Sequence, residues 1–389
     1  MKKAILAVLL LALVSACGGG DAVDDDTIKI GAIFDLTGPT SDVGSLFAEG
    51  IQEYVEWANQ QGGIEGRPVK LVFQDYGYKV DVAEQLYSQF VQEGVVAFMG
   101  WGTGDTEALR GRIAEDRIPF ASASFSHVLG DPEEAPFNFL LGTSYSDQMF
   151  IILDWILENH EGPEAPSVAL MHAPNPFGMS PYDQGGREYA EELGVSLVPH
   201  EMPRGSTDLT AELTNVRESG VQYVVFQNTS SPVALALKNA AAMEFDATFF
   251  CLNWCTNRVL TELAGEAAEG VMGSVLYSPP GDGVVGFADA DAFLAAQGSS
   301  IEEKGLLYGQ GWWMMAIFFE GIRGAVLTGE ELTGDNIRRS FERMKNFDTG
   351  GVTMPISFSE TDHRGMRSMR LYKVEGGDWR PASGFREAT

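Results

Sequence analysis

The sequence is poor in cysteine, histidine and basic residues, and each shortage excludes a class of function. Only 3 cysteines and 5 histidines occur in 389 residues, and their scattered positions do not form the paired spacing of a structural zinc site. Lysine and arginine together number 26 against 55 acidic residues, a formal net charge of −29. We therefore do not expect binding to nucleic acid or to an anionic lipid surface, because both carry the same sign of charge.

Motifs of nucleotide binding and of catalysis are also missing. The sequence contains no G-x-x-x-x-G-K-[ST], H-E-x-x-H or G-x-S-x-G. The stretch GWGTGDT (100–106) resembles a dinucleotide fingerprint, but Asp105 replaces its third glycine and would repel a pyrophosphate. His127 is too close in sequence to Ser124 and Ser126 to suggest a folded catalytic triad. The sequence therefore predicts neither an enzyme nor a bound cofactor.

No hydrophobic run is long enough to cross a membrane. Lys2 and Lys3 precede an apolar run over 4–14, well short of the ~20 residues that a bilayer requires. This pattern predicts a secretory signal peptide over residues 1–16. The sequence LVSA before Cys17 resembles a bacterial lipobox, which implies cleavage before Cys17 and its acylation; an ordinary signal peptide with a coincidental cysteine is the alternative. Residues 17–26 would then form a flexible, lipid-anchored tether outside the cytoplasm.

From residue 27 onward, apolar strands alternate with amphipathic helices. This order predicts parallel β-sheets with helices on both faces, and the length exceeds what one core usually serves, so two domains are expected. A mostly apolar segment at 306–327 is predicted to be a core helix, and 356–374 is predicted to be a β-hairpin that turns at 362–365. The other predicted strands are 28–34, 68–75, 95–100, 118–124, 167–173, 195–202, 221–228 and 247–253.

Hydroxyls, amides and aromatic rings follow many of these strands. Ligands of open α/β sheets bind beyond the carboxyl ends of the strands, and a few polar groups with aromatic walls are typical of a small-molecule site. The alternative for each residue is a role in a cap or loop, and Thr106 stands where a helix N-cap is expected. The candidate ligand-binding residues are Ser41, Thr103, Asp105, Thr106, Ser124, Ser126, Phe177, Gln227, Asn228, Asn253 and Trp254.

Two cysteines lie four residues apart in FFCLNWCTN (249–257). If Cys17 is acylated, Cys251 and Cys255 are the remaining thiols. The setting outside the cytoplasm favours a disulfide between them, and two buried free thiols are the alternative. A metal site is not expected from a single pair.

Several longer stretches resemble type I periplasmic binding proteins of the branched-chain amino acid and amide class, the substrate-capturing lipoproteins of ABC importers. The resemblance covers essentially the whole mature chain. It implies that the chain captures a small amphipathic solute, such as a hydrophobic amino acid, an amide or a carboxylate, and delivers it to a membrane permease. The stretches are DLTGPTSDVG (35–44), NQQGGIEGRPVKLVFQD (59–75), FMGWGTGDTEAL (98–109), IPFASASFS (118–126) and FNFLLGTSYSDQ (137–148).

The same resemblance implies two Rossmann-like lobes joined by a hinge of three crossovers, closing on the ligand like a jaw. The first lobe would comprise 27–145 and 277–345, and the second 146–276 and 346–389. A monomer is expected. The alternative function is a lipid-anchored sensor whose closed form is read by a signalling partner.

Roles for individual residues also follow from the resemblance. The ligand carboxylate would meet hydroxyls and backbone amides at Thr103–Thr106 and Ser124–Ser126, with Phe177 closing over the ligand and further second-lobe contacts at Gln227–Ser230. Asn253 stands where amino-acid binders carry the glutamate that pairs with the ligand ammonium, which leaves Asp105 as a candidate for that charge. An aromatic pocket is expected from Trp101, Phe125, Phe177, Trp254 and Tyr308; alternatively, Trp254 packs in the hinge.

Overall fold

The computed structural model describes residues 26–388. The predicted signal peptide (1–16) and the predicted lipidation site Cys17 lie outside the described residues. Within the described part of the chain, no helix combines the length and the apolar character needed to cross a membrane.

The first lobe contains a five-stranded sheet with the strand order β2-β1-β3-β4-β5, parallel throughout. Strand β1 (IKIGAIF) is apolar over almost its whole length and buried, as expected for a parallel strand that is covered by helices on both faces. The strands are β1 (Ile28–Phe34), β2 (Val69–Asp75), β3 (Ala97–Gly100), β4 (Phe120–Ser122) and β5 (Asn138–Phe139).

The second lobe contains an eight-stranded mixed sheet. Five parallel strands have the order β7-β6-β8-β9-β10, and β11 adds antiparallel to β10, followed by β12, with β13 pairing on β11. The strands are β6 (Ser167–His172), β7 (Ser196–Glu201), β8 (Tyr223–Gln227), β9 (Thr248–Cys251), β10 (Met272–Val275), β11 (Ser368–Glu375), β12 (Asp378–Pro381) and β13 (Arg386–Glu387).

Helices cover both sheets. The α-helices are α1 (Ser41–Gln60), α2 (Val80–Gln92), α3 (Thr103–Asp116), α4 (Tyr145–Asn159), α5 (Pro176–Pro181), α6 (Arg187–Leu193), α7 (Thr210–Glu218), α8 (Ser230–Ala242), α9 (Arg258–Ala264), α10 (Ala288–Ala295), α11 (Ile301–Lys304), α12 (Leu306–Val326) and α13 (Gly334–Arg343). A π-helical turn covers Tyr182–Gly186, and 3₁₀ turns cover His127–Gly130, Asn253–Cys255, Gly265–Ala268, Pro280–Asp282 and Val285–Phe287.

The chain passes between the lobes three times. It leaves the first sheet after β5 and enters α4, which packs on α5 and β11 of the second lobe. It returns to the first lobe after β10, as the packing of α12 along α1 shows. It leaves the first lobe again between α13 and β11. The lobe boundaries implied by the resemblance stay predictions. A β-bridge joins Arg364 to Leu140 of the first lobe. The last passage to the second lobe therefore lies nearer to residue 366 than to the expected 346.

The predicted core helix at 306–327 is present as α12. Its glycines permit an unusually close approach to α1, since a Cβ at Gly311 would collide with the backbone of Phe47 and a Cβ at Gly50 would collide with that of Tyr308. Trp312 packs edge-on against Tyr54 at a ring distance of 5.3 Å. This helix pair forms much of the apolar core of the first lobe.

The fold class predicted from the sequence is confirmed as an α/β protein of two lobes, with two corrections. The second sheet is mixed rather than purely parallel. The hairpin over 356–374 was predicted to turn at 362–365, and this position is wrong. An isolated antiparallel bridge joins Ser359 to Asp362, and the two-stranded hairpin is formed by β11 and β12, which turn at Gly376 and Gly377. Both glycines have positive φ values, 63° and 84°, which a two-residue hairpin turn of type I′ requires.

Candidate ligand-binding site

A small cavity lies between the lobes, where the carboxyl ends of both sheets face each other. In each sheet the strand order reverses, between β1 and β3 in the first lobe and between β6 and β8 in the second. Such reversal points open a crevice in which α/β proteins bind ligands. The cavity volume is ≈ 20 Å³, and we call it the central cavity. Its lining residues are Thr40, Val43, Tyr78, Trp101, Gly102, Thr103, Ala123, Tyr145, Phe177, Thr229 and Trp254.

Aromatic rings from both lobes form the walls of the central cavity. Trp101 of the first lobe and Trp254 of the second have ring centroids 5.1 Å apart. Phe125 stacks on Trp254 at 6.0 Å, and Tyr145 meets Phe177 edge-on at 5.5 Å. The Trp254 Nε1 donates a hydrogen bond of 2.9 Å to the Tyr145 hydroxyl. The walls are therefore apolar and held in fixed orientations.

The loop after β1 orients Trp101. Asp35 is fully buried, and its carboxylate accepts hydrogen bonds from the Gly38 N–H (2.6 Å), the Thr40 N–H (2.8 Å) and the Thr40 hydroxyl (2.7 Å). The Thr40 Oγ1 in turn accepts from Trp101 Nε1 at 2.8 Å. The buried Asp35 side chain thus fixes the loop, and the loop fixes the Trp101 indole beside the cavity.

Two hydroxyls at helix N-termini supply polar groups to the central cavity. Thr103 begins α3, and its Oγ1 lies 2.7 Å from the Ser124 Oγ. Thr229 is the N-cap of α8 and is 2% exposed, yet its hydroxyl has no hydrogen-bond partner among the described residues. Helix N-termini favour anions, because their first N–H groups are unpaired and the helix dipole is positive there. The geometry suits a carboxylate or an amide oxygen.

Asp105 lies directly behind the cavity rather than in its lining. Its Oδ1 accepts a hydrogen bond of 2.9 Å from the Tyr76 hydroxyl, and its Oδ2 has no partner among the described residues. Burial raises the pKa of this carboxyl to about 6. Gly102 separates Asp105 from the cavity. A Cβ at that position would collide with the Asp105 carboxylate and lie 2.6 Å from the Tyr76 hydroxyl.

Protein groups engage the backbone N–H and the Oδ1 of Asn253, whereas its buried Nδ2 has no partner among the described residues. Its backbone N–H donates to Gln148 Oε1 and its Oδ1 accepts from Gln148 Nε2, both at 3.1 Å. It is buried and does not line the central cavity. The side chain is therefore held as part of the support of the Trp254 turn. The expected role of Asn253 as an acceptor for a ligand ammonium stays a prediction. These contacts do not favour it, because Gln148 already donates to the Asn253 Oδ1.

The cysteine pair is present as free thiols, the second of the two states that the sequence left open. Cys251 ends β9 and Cys255 ends the following 3₁₀ turn, and both are completely buried. Cys255 Sγ donates to the Leu252 carbonyl at 3.5 Å. Burial, together with the neighbouring Cys255, raises the pKa of the Cys251 thiol. The expected disulfide is therefore not formed in this structure, where an apolar cluster already encloses both sulphur atoms.

The candidate residues from the sequence divide into four groups. Four line the central cavity: Trp101, Thr103, Phe177 and Trp254. A second group contacts the lining residues from behind: Asp105, Thr106, Ser124, Phe125, Gln227 and Asn253. Most of these contacts are described above. In addition, Thr106 Oγ1 donates to the Gly102 carbonyl and Gln227 Nε2 donates to the Phe177 carbonyl. Asn228 lines a second cavity that adjoins the central cavity.

Three candidates lie away from the central cavity. Tyr308 lies on the face of α12 that packs against α1, and its hydroxyl therefore donates a hydrogen bond of 2.7 Å to Glu53. Ser41 donates to the Gly38 carbonyl at 2.8 Å and forms part of the first turn of α1. Ser126 bonds to Glu107 and Gln184. Thr106 is not an N-cap as expected, since α3 begins three residues earlier with Gly102 as its cap.

Thr229 lies within the range 227–230 that the resemblance marks for ligand contacts. Six lining residues were not predicted from the sequence: Thr40, Val43, Tyr78, Gly102, Ala123 and Tyr145. For Thr40 a signal exists, because it stands directly before a helix that follows a strand-end loop. Val43 and Ala123 carry no chemical signal and could not be found in this way. Tyr145 lies at the first lobe crossover, which the strand-end rule does not cover.

Polar contacts join the rims of the two lobes. Asp42 on α1 accepts two hydrogen bonds of 2.8 Å from Ser231 on α8, one from the backbone N–H and one from the hydroxyl. On the other side, the Ser126 Oγ lies 2.6 Å from Glu107 Oε1 and 2.9 Å from Gln184 Oε1, and Gln184 belongs to the π-helical turn of the second lobe. The structure is therefore a closed form.

Across residues 26–388, histidine, cysteine, aspartate and glutamate side chains form no group of three that could hold a metal ion.

Comparisons with known proteins agree with this architecture. The sequence profile of the family described as "Periplasmic binding protein" matches residues 27–378. The Leu/Ile/Val-binding protein homolog 2 of Brucella abortus is 23% identical over 274 residues, 70% of this chain and 72% of that protein. The structure is similar to a branched-chain amino acid ABC transporter protein from Thermus thermophilus with bound valine (28% identity, TM-score 0.86, 93% and 96% of the two chains). It is also similar to an ABC transporter substrate-binding protein from Aeropyrum pernix (27% identity, TM-score 0.84, 93% and 96%).

Proposed function

The chain belongs to the periplasmic binding protein family, and from that premise we propose that it captures a small amphipathic solute between its lobes for an ABC importer. The observation that carries this proposal is the central cavity, because each lobe supplies part of its wall at the reversal point of its sheet. A site built from two bodies can admit a solute only when they separate, and a solute that touches both favours the closed arrangement.

The polar groups support a carboxylate or amide as the head group of the solute. The hydroxyls of Thr103 and Thr229 lie on opposite lobes, each at the start of a helix. An oxygen placed between them would satisfy the unpartnered Thr229 hydroxyl and meet the positive ends of α3 and α8. Trp101, Trp254 and Phe177 would pack against the apolar remainder of the solute.

The relatives suggest branched-chain amino acids as one class of solute, since the related T. thermophilus protein was crystallised with valine. A desolvated ammonium group needs an anionic or richly accepting partner. No carboxylate lines the central cavity within the described residues, and Asp105 would be reached only past Gly102. The site therefore supports carboxylates and amides at least as well as free amino acids.

The remaining parts of the proposal concern location and delivery. We place the protein outside the cytoplasm as a monomer, anchored through acylated Cys17, with the closed form presented to a permease in the membrane. The acidic surface does not favour direct adsorption to anionic lipid, so a covalent anchor would keep the protein near its transporter.

Thermal unfolding of residues 27–389 against a solute panel tests the proposal. The panel sets leucine, valine and phenylalanine beside their deaminated acids, benzoates and short amides. A solute at ~100 times its dissociation constant should raise the free energy of unfolding by roughly 2.7 kcal/mol, which shifts the melting temperature by several degrees. Absence of a shift with every solute would contradict solute capture at this site.

A further inference from the structure

A second, larger cavity adjoins the central cavity. It has a volume of ≈ 350 Å³ and shares the lining residues Thr40, Tyr78 and Phe177 with the central cavity. We call it the side chamber. The ≈ 20 Å³ of the central cavity is room for about one water-sized group, whereas the side chamber lies within the range of small-molecule sites, about 300–1,000 Å³. Most of a solute held in this closed form would therefore occupy the side chamber.

The side chamber is mainly apolar. Its apolar wall comes from the loops after β6 and β7 and from α8, and consists mainly of Pro174, Met202, Pro203, Leu209, Pro232 and Leu235. Arg204 is the one charged residue in its lining as far as the described chain extends, and it is solvent-exposed at the rim. Apolar surface of this extent, continuous with a polar site, fits the tail of an amphipathic molecule.

The shared residues define how the two cavities connect. Phe177 is 5% exposed, and its ring is held edge-on by Tyr145, 5.5 Å away. Tyr78 and Thr40 of the first lobe face it across the cleft. A solute whose head lies between Thr103 and Thr229 would therefore pass Phe177 to enter the side chamber. A short side chain, such as that of valine, would leave most of the chamber empty.

We propose, resting on the solute-binding function above, that the solute is an elongated monocarboxylate without an ammonium group. One oxygen of its carboxylate occupies the central cavity at the Thr103 and Thr229 hydroxyls, and its apolar tail fills the side chamber. An α-ammonium group would lie next to the carboxylate, where the lining of the central cavity offers no carboxylate to pair with it and desolvation would weaken binding.

Calorimetric titration of residues 27–389 with propionate, pentanoate, octanoate and 2-aminooctanoate tests this assignment. Affinity is expected to rise roughly threefold to fourfold with each added methylene until the chamber is full. The 2-amino acid is expected to bind at least about tenfold more weakly than octanoate, because its ammonium is buried without a partner.

A substitution in the side chamber tests whether the apolar tail of the solute binds there. Leu235→Trp narrows the side chamber and should weaken octanoate binding about tenfold or more while changing propionate binding less than about twofold. The matched control is Leu263→Trp on α9, where leucine is 42% exposed and outside both cavities; it should change neither affinity. Should Leu235→Trp fail to fold, Leu235→Ala enlarges the chamber instead and should shift the preference toward acids longer than octanoate.

The outcomes separate this inference from the proposed function. Equal affinities for propionate and octanoate, tighter binding of the 2-amino acid, or an unchanged octanoate affinity in Leu235→Trp would each overturn the elongated monocarboxylate while leaving solute capture intact. If no acid, amino acid or amide binds the wild-type chain, both proposals fail.

Discussion

Asp42 and Ser231 join the two lobes through one carboxylate oxygen, which accepts hydrogen bonds from the backbone N–H and the hydroxyl of Ser231, each of 2.8 Å. The contact lies at the starts of α1 and α8, beside the loops that line the central cavity. Since it exists only when the lobes are together, it stabilises the closed form relative to an open one. Closure and solute binding are thereby coupled.

Asp42→Ala is therefore expected to weaken solute binding without affecting the fold of either lobe. A hydrogen-bond pair at a partly exposed carboxylate contributes about 1 kcal/mol, or roughly a fivefold rise in the dissociation constant. Most of the change should be in the dissociation rate, which stopped-flow tryptophan fluorescence can follow. Asp246→Ala, at an exposed position after α8, is the control. An unaltered dissociation rate in Asp42→Ala would show that the contact does not hold the lobes.

Asp105 should make stability depend on pH in a specific window. The folded carboxyl has a pKa of about 6 against an ordinary 3.8, because it is buried, so the folded chain binds this proton more tightly than the unfolded chain. The contribution of this group to stability is therefore greatest below about pH 4 and falls as the pH rises through 6. The full loss is on the order of 3 kcal/mol.

Asp105→Asn should remove that dependence. Urea unfolding at pH 4.5 and 7.5 measures it, and the variant is expected to lose less stability than the wild type between these two pH values. Asn keeps an acceptor for the Tyr76 hydroxyl, so the hydrogen bond of 2.9 Å need not be lost. Parallel pH profiles for the two proteins would mean that Asp105 is already ionised without penalty.

Alanine substitutions at Gly102 and at Gly111 should change the free energy of unfolding in opposite directions. A Cβ at Gly102 would collide with the Asp105 carboxylate, whereas a Cβ at Gly111, in the middle of α3, meets no atom within 4 Å. Gly102→Ala is expected to lower the free energy of unfolding by about 1–3 kcal/mol and to weaken solute binding. Gly111→Ala should raise it by roughly 0.5–1 kcal/mol, because alanine favours helix. Denaturant unfolding measures both, and equal effects would contradict the close packing behind Gly102.

The cysteines should be unreactive until the chain unfolds. Both are fully buried, and burial raises the pKa of Cys251, so little nucleophilic thiolate is available. Iodoacetamide should leave folded residues 27–389 unmodified and add two alkyl groups after denaturation without reductant, as read by mass spectrometry. A mass lower by two hydrogens, with no alkylation before reduction, would show instead that the disulfide expected from the compartment forms.

The sequence predicts the strands and helices well, because the apolar pattern that forms each element also buries it in the core. Strand β1 was predicted at 28–34 and occupies those residues, since a continuous apolar run ends at the polar Asp35. The strand-end rule also found Thr103 and Phe177, which line the central cavity. Both follow directly from where a parallel strand stops.

The rest of the site depends on packing that one sequence does not encode locally. Tyr308 and Trp254 are both aromatic and buried, yet the register of α12 turns Tyr308 toward Glu53 while the turn after β9 places Trp254 in the cleft. Thr229 falls inside the predicted contact range 227–230, but the sequence does not show that its hydroxyl lacks a partner among the described residues. The hairpin was misplaced because the paired glycines at 376 and 377 were passed over as a turn signal.

The most direct test of the binding site is the affinity of the best solute from the thermal panel for Phe177→Ala, measured by calorimetry. Phe177 lines both cavities and is 5% exposed, whereas Phe73 on β2 is 39% exposed and lies outside them, so Phe73→Ala is a matched control. We expect the dissociation constant to rise about tenfold or more in Phe177→Ala and to stay within about twofold of wild type in Phe73→Ala. An unchanged affinity in Phe177→Ala, with the fold intact, would place the solute outside the cleft and contradict the account.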